Sequence, residues 1–282
     1  MNLGILLALA SALAYGAADF IGGAGSRRYS SWQIVLAGQA AGALVMLVAG
    51  LLLPGNPAVA DFAWALLAGA GSATGGIFLF RGLARGRMGL VAPISAVGAA
   101  ILPVLVGVAF GERPGWLVWV GVLVALPGIW LVSREATPDR SSGTRGALVD
   151  GAVAGVGFGV LFIALAQIPD DAGLLPLAAN QLIGAVLTMV AATSLGQPWW
   201  PRRGEAAVVR WGSASGVLGA AGTLAFMLST GTTSLGIAGV LASLYPAVTV
   251  LLAAGVLGER IGGSQRTGIA ICTLAVVTLA LG

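Results

Sequence analysis

The chain alternates long apolar runs with short polar breaks. Ten runs stand out, at about 3–24, 32–53, 62–81, 88–110, 115–133, 147–166, 174–195, 209–229, 235–257 and 264–281. Each is close to the ~20 residues an α-helix needs to cross a bilayer. The runs are apolar throughout, without the alternation of a barrel strand. They therefore predict helices, which satisfy their own backbone groups in lipid. The first run has only Met1-Asn2 before it, and Arg27-Arg28 then a second run after it. It reads as a first span and not as a signal peptide. The expected fold is an all-α polytopic membrane protein with ten transmembrane helices.

The longest polar stretch, 134–146, leaves five runs on each side. The halves, 1–133 and 147–282, repeat one another. Shifted by 147 residues, Trp64 falls on Trp211, Gly75 on Gly222, and Gly111-Glu112-Arg113 on Gly258-Glu259-Arg260. A shift of 142 in the earlier part places Gln39 on Gln181 and Gly42-Ala43 on Gly184-Ala185. Five is odd, so the second copy enters the membrane from the opposite side. This predicts two five-helix inverted-topology repeats, an arrangement of secondary transporters.

Arginine placement sets the expected orientation. The loops reached after each odd-numbered span carry Arg27, Arg28, Arg81, Arg85, Arg87, Arg134, Arg140, Arg145, Arg202, Arg203, Arg210, Arg260 and Arg266; the other side carries Arg113. A 13-to-1 split places the odd-numbered loops, with the 134–146 linker, in the cytoplasm and both termini outside.

Composition removes several chemistries. Hydrophobic residues make up 58% and charged residues 9%, against about 25% charged in soluble domains. There is no His, which excludes a Ser-His-Asp triad, a His-ligated metal and a His relay. All 14 basic residues are Arg, so no lysine can carry a Schiff-base cofactor. Neither a cofactor nor a metal site is expected. The lone Cys272 sits in an apolar run and reads as packing. The scattered arginines do not form a nucleic-acid patch.

These features resemble the EamA-type transporters of the drug/metabolite transporter superfamily. Leu13-Ala14-Tyr15-Gly16-Ala17-Ala18-Asp19-Phe20 is similar to that family's first-helix motif, the two Gly-Glu-Arg turns to its repeated turn, and Ser243-Leu244-Tyr245-Pro246 to its proline-containing fourth span. The resemblance implies export or uptake of small metabolites or drug-like solutes by alternating access. It also implies cytoplasmic termini, against which the arginine count stands.

Charged residues inside spans are costly and mark working sites. Asp19 is read either as a cavity carboxylate that takes a proton or a cationic group, or as a partner of Arg27 or Arg28. Tyr15 lies one turn earlier on the same face; Phe158 is its counterpart in the second half. Gln39 and Gln181, with Asn180, are amides at equivalent depth that either line a site or hold helices together. Arg81 suits a substrate carboxylate or a cytoplasmic anchor. Pro93, Pro103 and Pro246 permit bends and suit a hinge or gate, with Ser243 and Tyr245 beside the last. Glu112 and Glu259 are expected to cap the helix that follows each and to pair locally, with a gate contact as the alternative. Trp64, Trp116, Trp199, Trp200 and Trp211 read as an interfacial belt.

The expected function is a secondary transporter in the cytoplasmic membrane. It would export a small organic solute by alternating access, coupled to protons through Asp19, and act as a monomer in the lipid bilayer. The alternative is a channel or a lipid or lipid-linked substrate translocase. An intramembrane enzyme is disfavoured, because Asp170-Asp171 is the one acidic pair in the sequence and it lies in a loop.

Overall fold

A computed structural model describes residues 3–84, 88–133, 144–201, 205–258 and 261–281. The first half contributes α1 (Leu3–Ser26), α2 (Ser31–Leu52), α3 (Val59–Ala84), α4 (Met88–Ala109) and α5 (Trp116–Ser133). The second contributes α6 (Thr144–Leu165), α7 (Leu175–Ser194), α8 (Ala206–Thr230), α9 (Leu235–Ala242), α10 (Tyr245–Leu257) and α11 (Gly263–Leu281). Seven segments are long and apolar enough to cross a membrane, α9 and α10 counting as one, and two shorter apolar helices accompany them. The chain is a multi-pass membrane protein.

Helix ends are set by local chemistry. Ser30 and Gln33 form a capping box at α2. The Asp61 carboxylate accepts from the Ala58 N–H at 2.7 Å ahead of the first turn of α3. α4 closes in a Schellman motif: Glu112 N–H reaches the Gly107 carbonyl at 2.9 Å and Gly111 N–H the Val108 carbonyl at 3.1 Å. Gly111 takes φ +98°, which a side chain would strain. The ninth predicted span departs from expectation. It is two helices, broken at Ser243-Leu244, with Pro246 in the first turn of α10, where proline lacks no needed donor. Pro93 and Pro103 sit inside α4, which continues through both; the Pro93 side chain lies outside the described residues.

The halves interlock by exchange. α1 packs along α8 and α6 along α3; α2 lies on α8 and α7 on α3; α2 meets α7, α4 meets α9 and α5 meets α11. Each pairing has its repeat-related counterpart or is its own. Small residues allow the close approach. A Cβ on Gly216 would run into the Gly38 carbonyl, and one on Gly69 would lie 2.6 Å from the Asn180 carbonyl. These two contacts are equivalent under the sequence repeat. Cys272 is buried against Gly128, as packing requires.

The two faces differ in charge. The described Arg27, Arg28, Arg81, Arg145, Arg210 and Arg266 lie toward the face of the α1–α2 turn, Arg113 at the opposite one. Trp116 and Trp200 are largely exposed near helix ends, as an interfacial position demands.

Candidate functional site

Tyr15 and Phe158 establish how the halves meet at the centre. A Cβ on Gly222 would lie 2.9 Å from Tyr15 Cδ1, and one on Gly75 would lie 2.6 Å from Phe158 Cδ1. Each aromatic ring therefore lies over the repeat-equivalent glycine of the opposite half. The glutamines do the same across α2 and α7. A Cβ on Gly184 would lie 2.8 Å from Gln39 Nε2, and one on Gly42 would lie 2.8 Å from Gln181 Nε2.

Between these pairs is a cavity of about 100 Å³. Its lining brings together Tyr15, Asp19, Gln39, Phe158 and Gln181, with Ser72, Phe80, Ser215 and Thr223. The last four were not singled out from the sequence, because a serine or threonine in an apolar run is commonplace and only the helix rotation turns it inward. The volume equals about three waters, well below the ~300 Å³ lower end of ligand pockets. A bound organic solute needs the walls to part.

The polar groups are held in defined positions. The Thr223 hydroxyl donates to the Gly219 carbonyl at 3.0 Å, so the Tyr15 hydroxyl, 3.0 Å away, donates to Thr223. Ser215 donates to the Ala18 carbonyl at 2.9 Å, and Ser11 to the Gly222 carbonyl at 2.9 Å, pinning α1 to α8. Gln39 accepts from Thr188 at 3.0 Å and donates to Ser72 at 3.4 Å. Phe80 lies over Gly22 and lines the cavity. Among the described residues no ion pair joins Asp19 to Arg27 or Arg28, the pairing weighed from the sequence.

Five predicted residues lie elsewhere. Arg81 forms an ion pair with Asp150 on α6 and stacks over Phe78, 4.2 Å from its centroid. Asp150, 2% exposed in its side chain, is the acid that sequence reading missed, since it stands only six residues inside the second half's first helix. Asn180 is fully buried, and neither amide atom has a partner among the described residues. Tyr245 bonds Ser95 at 3.1 Å, beside α4, and Ser243 is buried at the break with its hydroxyl unpartnered. Pro103 packs against Gly239 of α9, whose Cβ would lie 2.7 Å away.

Glu112 corrects the sequence expectation. It caps not the following helix, α5, but α9 of the other half. Its Oε1 accepts from Leu235 N–H at 2.7 Å and its Oε2 from Gly236 N–H at 3.3 Å. The Schellman turn aims the side chain back over α4, and a helix N-terminus with unsatisfied N–H groups attracts a carboxylate more strongly than an exposed arginine neighbour does. Glu259 and Arg260 lie outside the described residues, as do Arg85, Arg87 and most of the linker.

No curated protein matches the chain. Twenty-seven solved chains do. One of them, a crystal structure of a protein, is 19% identical, with 99% of this chain and 96% of that one covered at a TM-score of 0.74. At that identity the likeness shows the fold. The model of the EamA-like transporter family matches residues 2–134 and again 147–281. Two successive matches, on a frame whose halves exchange equivalent contacts around a central cavity, mean that the chain belongs to the EamA-like transporter family.

Proposed function

We propose that the protein is a secondary transporter that exports a small organic solute, neutral or cationic, across the cytoplasmic membrane by alternating access, with Asp19 carrying the coupling proton. The observation that supports this most is the cavity between the two halves, where one carboxylate faces aromatic and amide groups. Arg81, the cation the sequence offered for a substrate carboxylate, is engaged by Asp150. An anionic or zwitterionic solute then lacks a counter-charge at Asp19's level, while an amine finds one. Tyr15, Phe80 and Phe158 suit the apolar part of an amphipathic solute. Gln39 and Gln181 offer hydrogen bonds from opposite halves.

The reading takes the α9–α10 segment, the two shorter helices and α11 as crossings alongside the other long helices. It thus keeps ten, in two inverted repeats, with the arginine-rich loops cytoplasmic and the termini outside. It requires no cofactor, no catalysis and no second copy of the chain.

The test begins with thermal stabilisation of purified protein by amines, amino acids, organic acids, nucleosides and sugars at pH 5.5 and 8. Saturable stabilisation by amines, weakened in Asp19→Asn, is expected. In proteoliposomes Asp19→Asn should lose pH-driven accumulation of that amine while keeping counterflow exchange. Retained pH-driven accumulation overturns proton coupling through Asp19. Stabilisation by lipids alone moves the function to lipid translocation, and unsaturable flux to a channel.

A further inference from the structure

The Glu112 contact joins the end of α4 in one half to a short helix of the other. Its own end is rigid: Glu112 follows Gly111 in the Schellman turn that terminates α4. The piece it holds is α9, eight residues long and separated from α10 by the Ser243-Leu244 break. The first turn of α9 leaves three N–H groups for outside partners. Glu112 takes those of Leu235 and Gly236, and the Ser234 hydroxyl takes that of Ile237 at 3.3 Å. Two glycines make room for the carboxylate. A Cβ on Gly107 would collide with its Oε2, and one on Gly236 would lie 3.4 Å from it. Beside the contact a cavity of about 330 Å³ is lined by Gly107, Glu112, Gln167, Thr230 and Thr233. The N-terminal end of α9 therefore has both a single charged anchor and free space next to it. Further along α9, Gly239 sits on Pro103, and Val240, Leu241 and Ala242 are fully buried.

We infer that Glu112 is a latch: its carboxylate holds α9 closed over the face opposite the arginine-rich one, and that face opens when the latch releases. The inference rests on the alternating-access reading, but its test needs no substrate. It replaces a local role for the first Gly-Glu-Arg turn with a contact between residues 123 and 124 positions apart.

The test uses the full chain in nanodiscs, where both faces are reachable, in a Cys272→Ala background that removes the one cysteine. Reporter thiols are introduced by Leu235→Cys at the latch and, separately, by Val208→Cys, a fully buried position at the arginine-rich end of α8. Leu235 contributes only its backbone N–H to the latch, so the reporter leaves the contact in place. Glu112→Gln removes the charge, and Gly107→Ala displaces the carboxylate without removing it. Both should speed alkylation at position 235 by about five-fold, the factor that loss of a cap of about 1 kcal/mol allows. Both should also slow it at position 208, because opening one face closes the other. Faster labelling at 235 with no change at 208 means local fraying and overturns the latch. No change at either site, in protein that elutes and melts as folded, overturns it as well.

Discussion

The two walls of the cavity share a backbone plan and differ in chemistry. α1 on α8 and α6 on α3 are equivalent pairings, yet α1–α8 carries the hydrogen bonds of Ser11, Tyr15, Ser215 and Thr223 and the carboxylate of Asp19. Aligning Tyr15 with Phe158 puts Ala154 in place of Ser11 and Phe162 in place of Asp19; the shift of 147 puts Ala68 in place of Ser215 and Gly76 in place of Thr223. Phe162 is buried and stacked on Phe226 at 4.4 Å. The α3–α6 wall carries its charge as the Arg81–Asp150 pair, whose counterparts on the other wall are Leu228 and Leu7. A duplicated frame thus keeps its symmetry in the glycines that let helices touch and loses it in the side chains that meet a solute. Alternating access needs the first property and selectivity needs the second.

The contrast can be broken experimentally. After Asp19→Asn, the largest effect is expected at the ion pair. Asp150→Asn leaves Arg81 uncompensated and should cost roughly 2 kcal/mol, or about 5 °C in apparent melting temperature. The figure is below that for a fully buried pair because the Arg81 side chain is 30% exposed. Arg81→Leu with Asp150→Leu copies the other wall and should melt near the parent protein. A double variant as unstable as the single one would mean that the pair itself, and not the orphaned charge, supports the wall. Coupling should survive in both, since neither residue lines the cavity.

A smaller effect separates the aromatic positions. Tyr15→Phe turns the α1 side into its counterpart and removes one interhelical hydrogen bond, costing about 0.6 kcal/mol. Phe158→Tyr adds a hydroxyl opposite Gly76, which has no side chain to meet it, and should also destabilise. Equal and opposite shifts in melting temperature would contradict the asymmetry. A difference of comparable size is expected between the glutamines. Gln39→Leu breaks bonds to Ser72 and Thr188 and should lower stability more, by about 1 kcal/mol, than Gln181→Leu. Outside the spans, Asp170 has its carboxyl held above the usual carboxylate range by partial burial and then by the charge of Asp171.

Much of the fold was legible along the chain. Nine of the ten predicted runs became single helices with ends within a few residues of those expected, because apolar length and capping chemistry are local. The exception, the ninth, broke two residues before Pro246, where α10 had to begin with proline in its first turn. The site was legible in part. Tyr15, Asp19, Gln39, Phe158 and Gln181 were found because a charge, an amide or a repeat-matched aromatic is conspicuous in an apolar span.

The sequence by itself thus determined the helices, the duplication and the acid near the centre. Tertiary structure alone decided that Arg81 answers Asp150, that Glu112 caps a helix of the other half, and that Ser72, Ser215 and Thr223 turn inward. The physical reason is that helices apolar on every side carry no stripe to mark the inward face. Their rotation is fixed by where glycines let another helix approach, and those partners lie more than a hundred residues away along the chain.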